Sequence, residues 1–89
     1  MGTDSGPLLV VDDEEMNRDM LARRLQRRGY VVEMAADGQL ALDMVAVGRF
    51  DLVLLDIMMP GMDGMEVLGH LRQRYSMRGL PVIMATGKD

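Results

Sequence analysis

Two aliphatic runs in this 89-residue chain end in aspartate: Leu8-Leu9-Val10-Val11 leads into Asp12-Asp13, and Leu52-Val53-Leu54-Leu55 leads into Asp56. A carboxylate closing a buried strand is costly unless something offsets its charge, so Asp56 demands a chemical reason. If the two runs are neighbouring strands of one sheet, their ends lie ~5 Å apart and three carboxylates meet at one rim. Left bare, the three repel one another. A hard divalent cation removes that repulsion, and oxygen-only ligands with room for water favour magnesium. Magnesium bridges readily to phosphoryl oxygens, and a carboxylate can act as a nucleophile toward phosphorus. The chemistry suggested is an acyl phosphate on one aspartate. A plainer alternative has Asp13, Glu14 and Glu15 merely favouring the positive end of a helix. It suffices for those residues taken alone and leaves Asp56 unexplained.

The elements that position these groups follow from hydropathy. Unbroken apolar character suits strands covered on both faces of a parallel sheet. A helix is predicted over about residues 15–28, with acidic residues at its start, arginines at its end and Gly29 as its stop. Met16, Met20, Leu21 and Leu25 would lie on one side of it. A second strand follows at residues 30–34. The next helix opens at Asp37-Gly38, carries Leu40, Ala41, Met44 and Val45, and ends near Gly48. After the strand that closes in Asp56, a loop over residues 58–64 leads to a helix holding Val67, Leu68 and Leu71. Residues 81–86 form a fourth strand. The alternation β-α-β-α-β-α-β predicts an α/β, doubly wound parallel sheet with right-handed crossovers. With strand order 2-1-3-4, the first helix covers one face and the next two cover the other. Ligands in such sheets bind where the winding reverses, here between strands one and three.

Composition narrows the function classes. A net charge of −4 argues against nucleic acid or anionic lipid as a partner. The local cluster Arg18, Arg23, Arg24, Arg27 and Arg28 reads as a solvated helix face, with Glu14 beside Arg18 and Asp19 beside Arg23. The absence of cysteine removes disulfides, zinc–thiolate sites and thiol nucleophiles, and fits a cytoplasmic protein. No apolar run approaches the ~20 residues of a membrane span.

The motifs LLVVDD at residues 8–13, LVLLDIMMPGMDG at 52–64 and PVIMAT at 81–86 resemble the receiver domains of two-component response regulators. The resemblance implies a flavodoxin-like fold, with residues 1–7 a flexible leader and 8–89 a truncated receiver domain. It casts Asp56 as the phosphoacceptor and, with Asp13, as a direct magnesium ligand. Asp12 would hold the metal mainly through water, and the Met58 main-chain carbonyl would complete the protein ligands. Thr86 would hydrogen-bond the phosphoryl group and shift on activation, and Lys88 would line the approach to it. The implied phosphodonor is a sensor histidine kinase, with the receiver assisting its own phosphorylation rather than turning over a substrate.

A full receiver carries a further helix-strand-helix unit after the fourth strand, including a lysine that neutralises phosphoryl charge. That lysine is absent here, since Lys88 is the only lysine of the chain. Without the unit, one sheet face is half covered and the fourth strand is an open edge, so self-association is expected. Two rivals from other classes remain weaker. A haloacid-dehalogenase-like phosphotransferase needs Asp-x-Asp, whereas Asp56 precedes Ile57-Met58 and Asp12 precedes Asp13-Glu14. A non-catalytic interaction or metal module could draw on Met58, Met59, Met62 and Met65, whose thioethers suit copper(I). Gap-filling explains them better in a chain with 11 methionines. His70 reads as a surface residue, and Tyr30 and Tyr75 as packing residues.

Overall fold

The structure, a computed structural model, describes residues 6–85. Strands β1 (Leu8–Val11), β2 (Val32–Ala35), β3 (Leu52–Asp56) and β4 (Val82–Ala85) alternate with helices α1 (Glu15–Arg27), α2 (Gly38–Val47) and α3 (Gly64–Arg74). The strands form one parallel sheet in the order β2-β1-β3-β4, the doubly wound arrangement expected from the alternation.

Side chains alternate across the sheet. Leu9, Val11, Val53 and Leu55 face α2 and α3, where Ala41, Val45, Val67 and Leu71 complete an aliphatic core sealed by Phe50 and Leu80. Leu8 and Val10 point to the opposite face, beneath α1, whose one fully buried residue is Ala22. Not all of the apolar side of α1 is buried. Leu21, Ala22 and Leu25 point inward, while Met16 is 79% exposed and Met20 is also exposed. The buried stripe therefore starts later in the helix, at Leu21.

Strand β2 begins two residues later than the apolar run at residues 30–34 suggests. The reason is the end of α1. Gly29, at φ +95°, donates its N–H to the Gln26 carbonyl, and Tyr30 donates to Leu25. This pair of bonds is a Schellman motif, which occupies Tyr30 in closing the helix. Leu8 then donates to the Val31 carbonyl, and the ladder starts at the Leu8–Val32 pair.

The other helices start on side-chain caps. Asp37 accepts from the Leu40 N–H at 2.8 Å. Asp63 and Glu66 form a reciprocal capping box at 3.0 Å in each direction. These caps fix the start of α2 and α3 close to the strand ends. Gly38 lets the start of α2 pack closely against α3, since a Cβ there would lie 2.6 Å from Val67 Cγ2.

Candidate functional site

The β1–β3 register pairs Leu8 with Leu52 and Val11 with Leu55, so continuing it by one residue sets Asp12 across from Asp56. Both are 3% exposed, the buried charged residues of the described chain, whereas Asp13 is exposed. One carboxylate oxygen from each of the three lies within 4.8 Å of the others. The structure thus brings together the three aspartates that the strand ends pointed to.

Asp12 is held on several sides. Its N–H donates to the Ala35 carbonyl of β2 at 3.2 Å. Its Oδ1 accepts the Glu14 N–H at 2.9 Å, shaping the turn into α1. Its carbonyl oxygen accepts Arg18 Nη1 at 2.8 Å. Asp56 closes β3 opposite Ala85 of β4, and its Oδ1 accepts the Met58 N–H at 3.3 Å. Beside the carboxylates lies a cleft whose walls include Asn17, Met20, Leu21, Leu54 and Ala85. One side of the cluster is therefore apolar, which strengthens electrostatic interactions at its edge.

The loop from Asp56 to α3 runs through Pro60-Gly61, with Gly61 at φ +75°, a left-handed conformation that glycine adopts without strain. The methionines around it are split between environments. Met59 is buried in the α2–α3 core and Met62 packs on it, while Met58 and Met65 are exposed. That division fits gap-filling and does not gather four thioethers. His70 is exposed, and Tyr75 packs on the core with its hydroxyl donating to the Val45 carbonyl at 3.4 Å. Tyr30 is largely exposed rather than packed, because the Schellman motif at the end of α1 holds it outside the sheet. Thr86, Lys88 and residues 1–5 lie outside the described residues.

The donor set fits a hard divalent cation. Three carboxylate oxygens at this spacing can share one ion, and the exposed Asp13 side leaves room for water or a phosphoryl oxygen. Arg18 was not foreseen as part of this region. It was expected to pair with Glu14, but Glu14 accepts from Asn17 Nδ2 while Arg18 turns to the Asp12 carbonyl. A cation near the positive end of a helix was the available signal, because the macrodipole disfavours it there. The capping box was likewise legible in the Asp63-x-x-Glu66 spacing.

Known proteins share this fold. TrrA from Thermotoga maritima, a response regulator crystallised with Mg2+-BeF, is 41% identical with a TM-score of 0.82, over 88% of this chain and 66% of its own. Chemotaxis protein CheY4 from Vibrio cholerae is 38% identical with a TM-score of 0.83, over 90% and 67%. A structure of the histidine kinase ThkA in complex with TrrA also matches, at 40% identity and a TM-score of 0.84, over 93% and 70%. The chain spans about two thirds of the length of these structures. Residues 8–89 match the model of the response regulator receiver domain, and the chain belongs to that family.

Proposed function

We propose that this chain is a phosphoacceptor module, in which Asp56 receives a phosphoryl group from the phosphohistidine of a sensor kinase. The observation that carries this reading is the convergence of Asp12, Asp13 and Asp56 within 4.8 Å at the reversal point of the sheet. A complex between the TrrA relative and a histidine kinase supports the class of partner. The Mg2+-BeF complex of TrrA supports magnesium as the cofactor.

In this reading Asp13 and Asp56 ligate magnesium directly, Asp12 holds it through water, and the Met58 carbonyl completes the protein ligands. Magnesium, when bound, neutralises charge building up on the transferring phosphoryl oxygens. The chain's own residues do the rest. The Asp56 carboxylate, oriented by the Met58 N–H, forms an O–P bond as the N–P bond of the donor histidine breaks. The donor leaves as imidazole after taking a proton from solvent. Thr86 would hydrogen-bond the phosphoryl group, and Lys88 would line its approach. The module assists its own modification and is not a turnover enzyme.

No described helix is long and apolar enough to cross a membrane. A cytoplasmic location belongs to the proposal, together with the kinase partner. Self-association through β4 belongs to the same reading. The test is acetyl phosphate treatment followed by hydroxylamine trapping and peptide mass mapping. The adduct is expected at Asp56 and absent from Asp56→Asn; an adduct elsewhere, or one that survives Asp56→Asn, contradicts the assignment.

A further inference from the structure

Asp13 presents a geometric problem. It is the exposed member of the carboxylate cluster and sits in the bend between β1 and α1, outside any ladder, yet its oxygen falls within 4.8 Å of two buried partners. Its position depends in part on the peptide that joins it to Asp12. The oxygen of that peptide is the Asp12 carbonyl, which accepts Arg18 Nη1 at 2.8 Å. Rotation about the Asp12 Cα–C bond turns this oxygen and moves Asp13 together, so the guanidinium bond restrains where the third carboxylate can sit.

Arg18 differs from the other arginines of α1. Arg23, Arg24, Arg27 and Arg28 are exposed, whereas Arg18 is half-buried. It is the fourth residue of the helix, and its own N–H makes the helix-opening bond to the Glu14 carbonyl at 2.9 Å. A cation so near the helix start opposes the macrodipole, and ordering a long side chain costs conformational entropy. The bond to Asp12 offsets both costs.

We propose that Arg18 is a positioning residue for the metal centre, acting through the Asp12–Asp13 peptide to hold Asp13 in ligating range. The proposal rests on the magnesium reading above. Two other roles make different predictions. If Arg18 only supplied counter-charge to the aspartates, removing it would strengthen cation binding, because a repulsive positive charge is gone. If it only tied down the start of α1, removing it would lower stability and leave cation affinity unchanged.

The experiment is a Mg2+ titration of the 89-residue chain by calorimetry, with Mn2+ paramagnetic broadening as a second readout and far-UV circular dichroism to verify folding. Arg18→Met is expected to weaken binding about tenfold, the scale seen when a group that orients a metal ligand is lost. Combined with Asp13→Ala, Arg18→Met should cost little beyond Asp13→Ala alone, since its effect passes through Asp13. Unchanged or tighter binding in folded Arg18→Met overturns the proposal, as does an additive loss in the double variant. Should Arg18→Met fold poorly, the same titrations are run in trimethylamine N-oxide, which favours the folded state, and on Arg18→Gln. Asp13→Ala alone separates the two levels. If it leaves affinity intact, the magnesium reading fails; if it weakens binding while Arg18→Met does not, only the role of Arg18 fails.

Discussion

Gly64 and Asp56 pack main chain against main chain. The Gly64 N–H donates to the Ile57 carbonyl at 2.9 Å, and a Cβ on Gly64 would collide with the Asp56 carbonyl oxygen and lie 2.7 Å from Ile57 Cα. The start of α3 is thus pressed onto the residue that carries the proposed chemistry. Backbone on both sides leaves no flexible group to yield. Gly64→Ala is expected to lower the unfolding free energy by about 1–3 kcal/mol, the usual cost of overpacking. Urea denaturation measures it, and an unchanged midpoint would show that the approach is slack.

The capping box makes a separable prediction. Asp63 lies in the same loop as Asp56 but spends its carboxylate on the Glu66 N–H. Asp63→Ala should cost about 1 kcal/mol of stability and leave divalent-cation affinity at the wild-type value. Loss of cation binding in a folded Asp63→Ala protein would place Asp63 in the site and revise the ligand set.

Much of this arrangement was legible in the sequence because β1 and β3 are unbroken aliphatic runs that stop abruptly at aspartate. Crossover handedness alone does not set their order; given the order 2-1-3-4, Asp12, Asp13 and Asp56 meet at one rim. Strand β2 was displaced because Tyr30 and Val31 look like strand residues, while the helix end claims Tyr30 and Val31 lies outside the ladder. Periodicity sets Met16 and Met20 on one side with Leu21 and Leu25, but it does not report which of them are buried, and both methionines are exposed. The Arg18 bond was hidden for a related reason. A side chain reaching a carbonyl six residues back depends on the angle between β1 and α1, which no local pattern encodes.

Phosphorylation of the 89-residue chain should be slow. Its only lysine is Lys88, and the resemblance puts the charge-neutralising lysine on a later strand. Losing one such donor commonly removes about 3–4 kcal/mol of transition-state stabilisation. Labelling by acetyl phosphate is expected to stay far below stoichiometric over minutes. Rapid stoichiometric labelling confined to Asp56 would show that no such lysine is required.

Strand β4 is bonded to β3 along one edge, and Ile83 on it is 50% exposed. An open edge bearing apolar side chains favours association. The chain should form dimers or larger species as its concentration rises, with Ile83→Lys shifting the population toward monomer. Light scattering across a concentration series reads this directly. A folded wild-type chain that remains monomeric throughout contradicts it.

The central claim is that Asp12, Asp13 and Asp56 form one divalent-cation site centred on the phosphoacceptor. Calorimetric titration of Mg2+ into the wild-type chain, Asp13→Ala and Asp56→Ala tests it most directly, because it needs neither a kinase nor a completed phosphotransfer. Weak, saturable binding to the wild type and markedly weaker binding in each variant, with the fold intact, are expected. Equal affinity in all three proteins would contradict it.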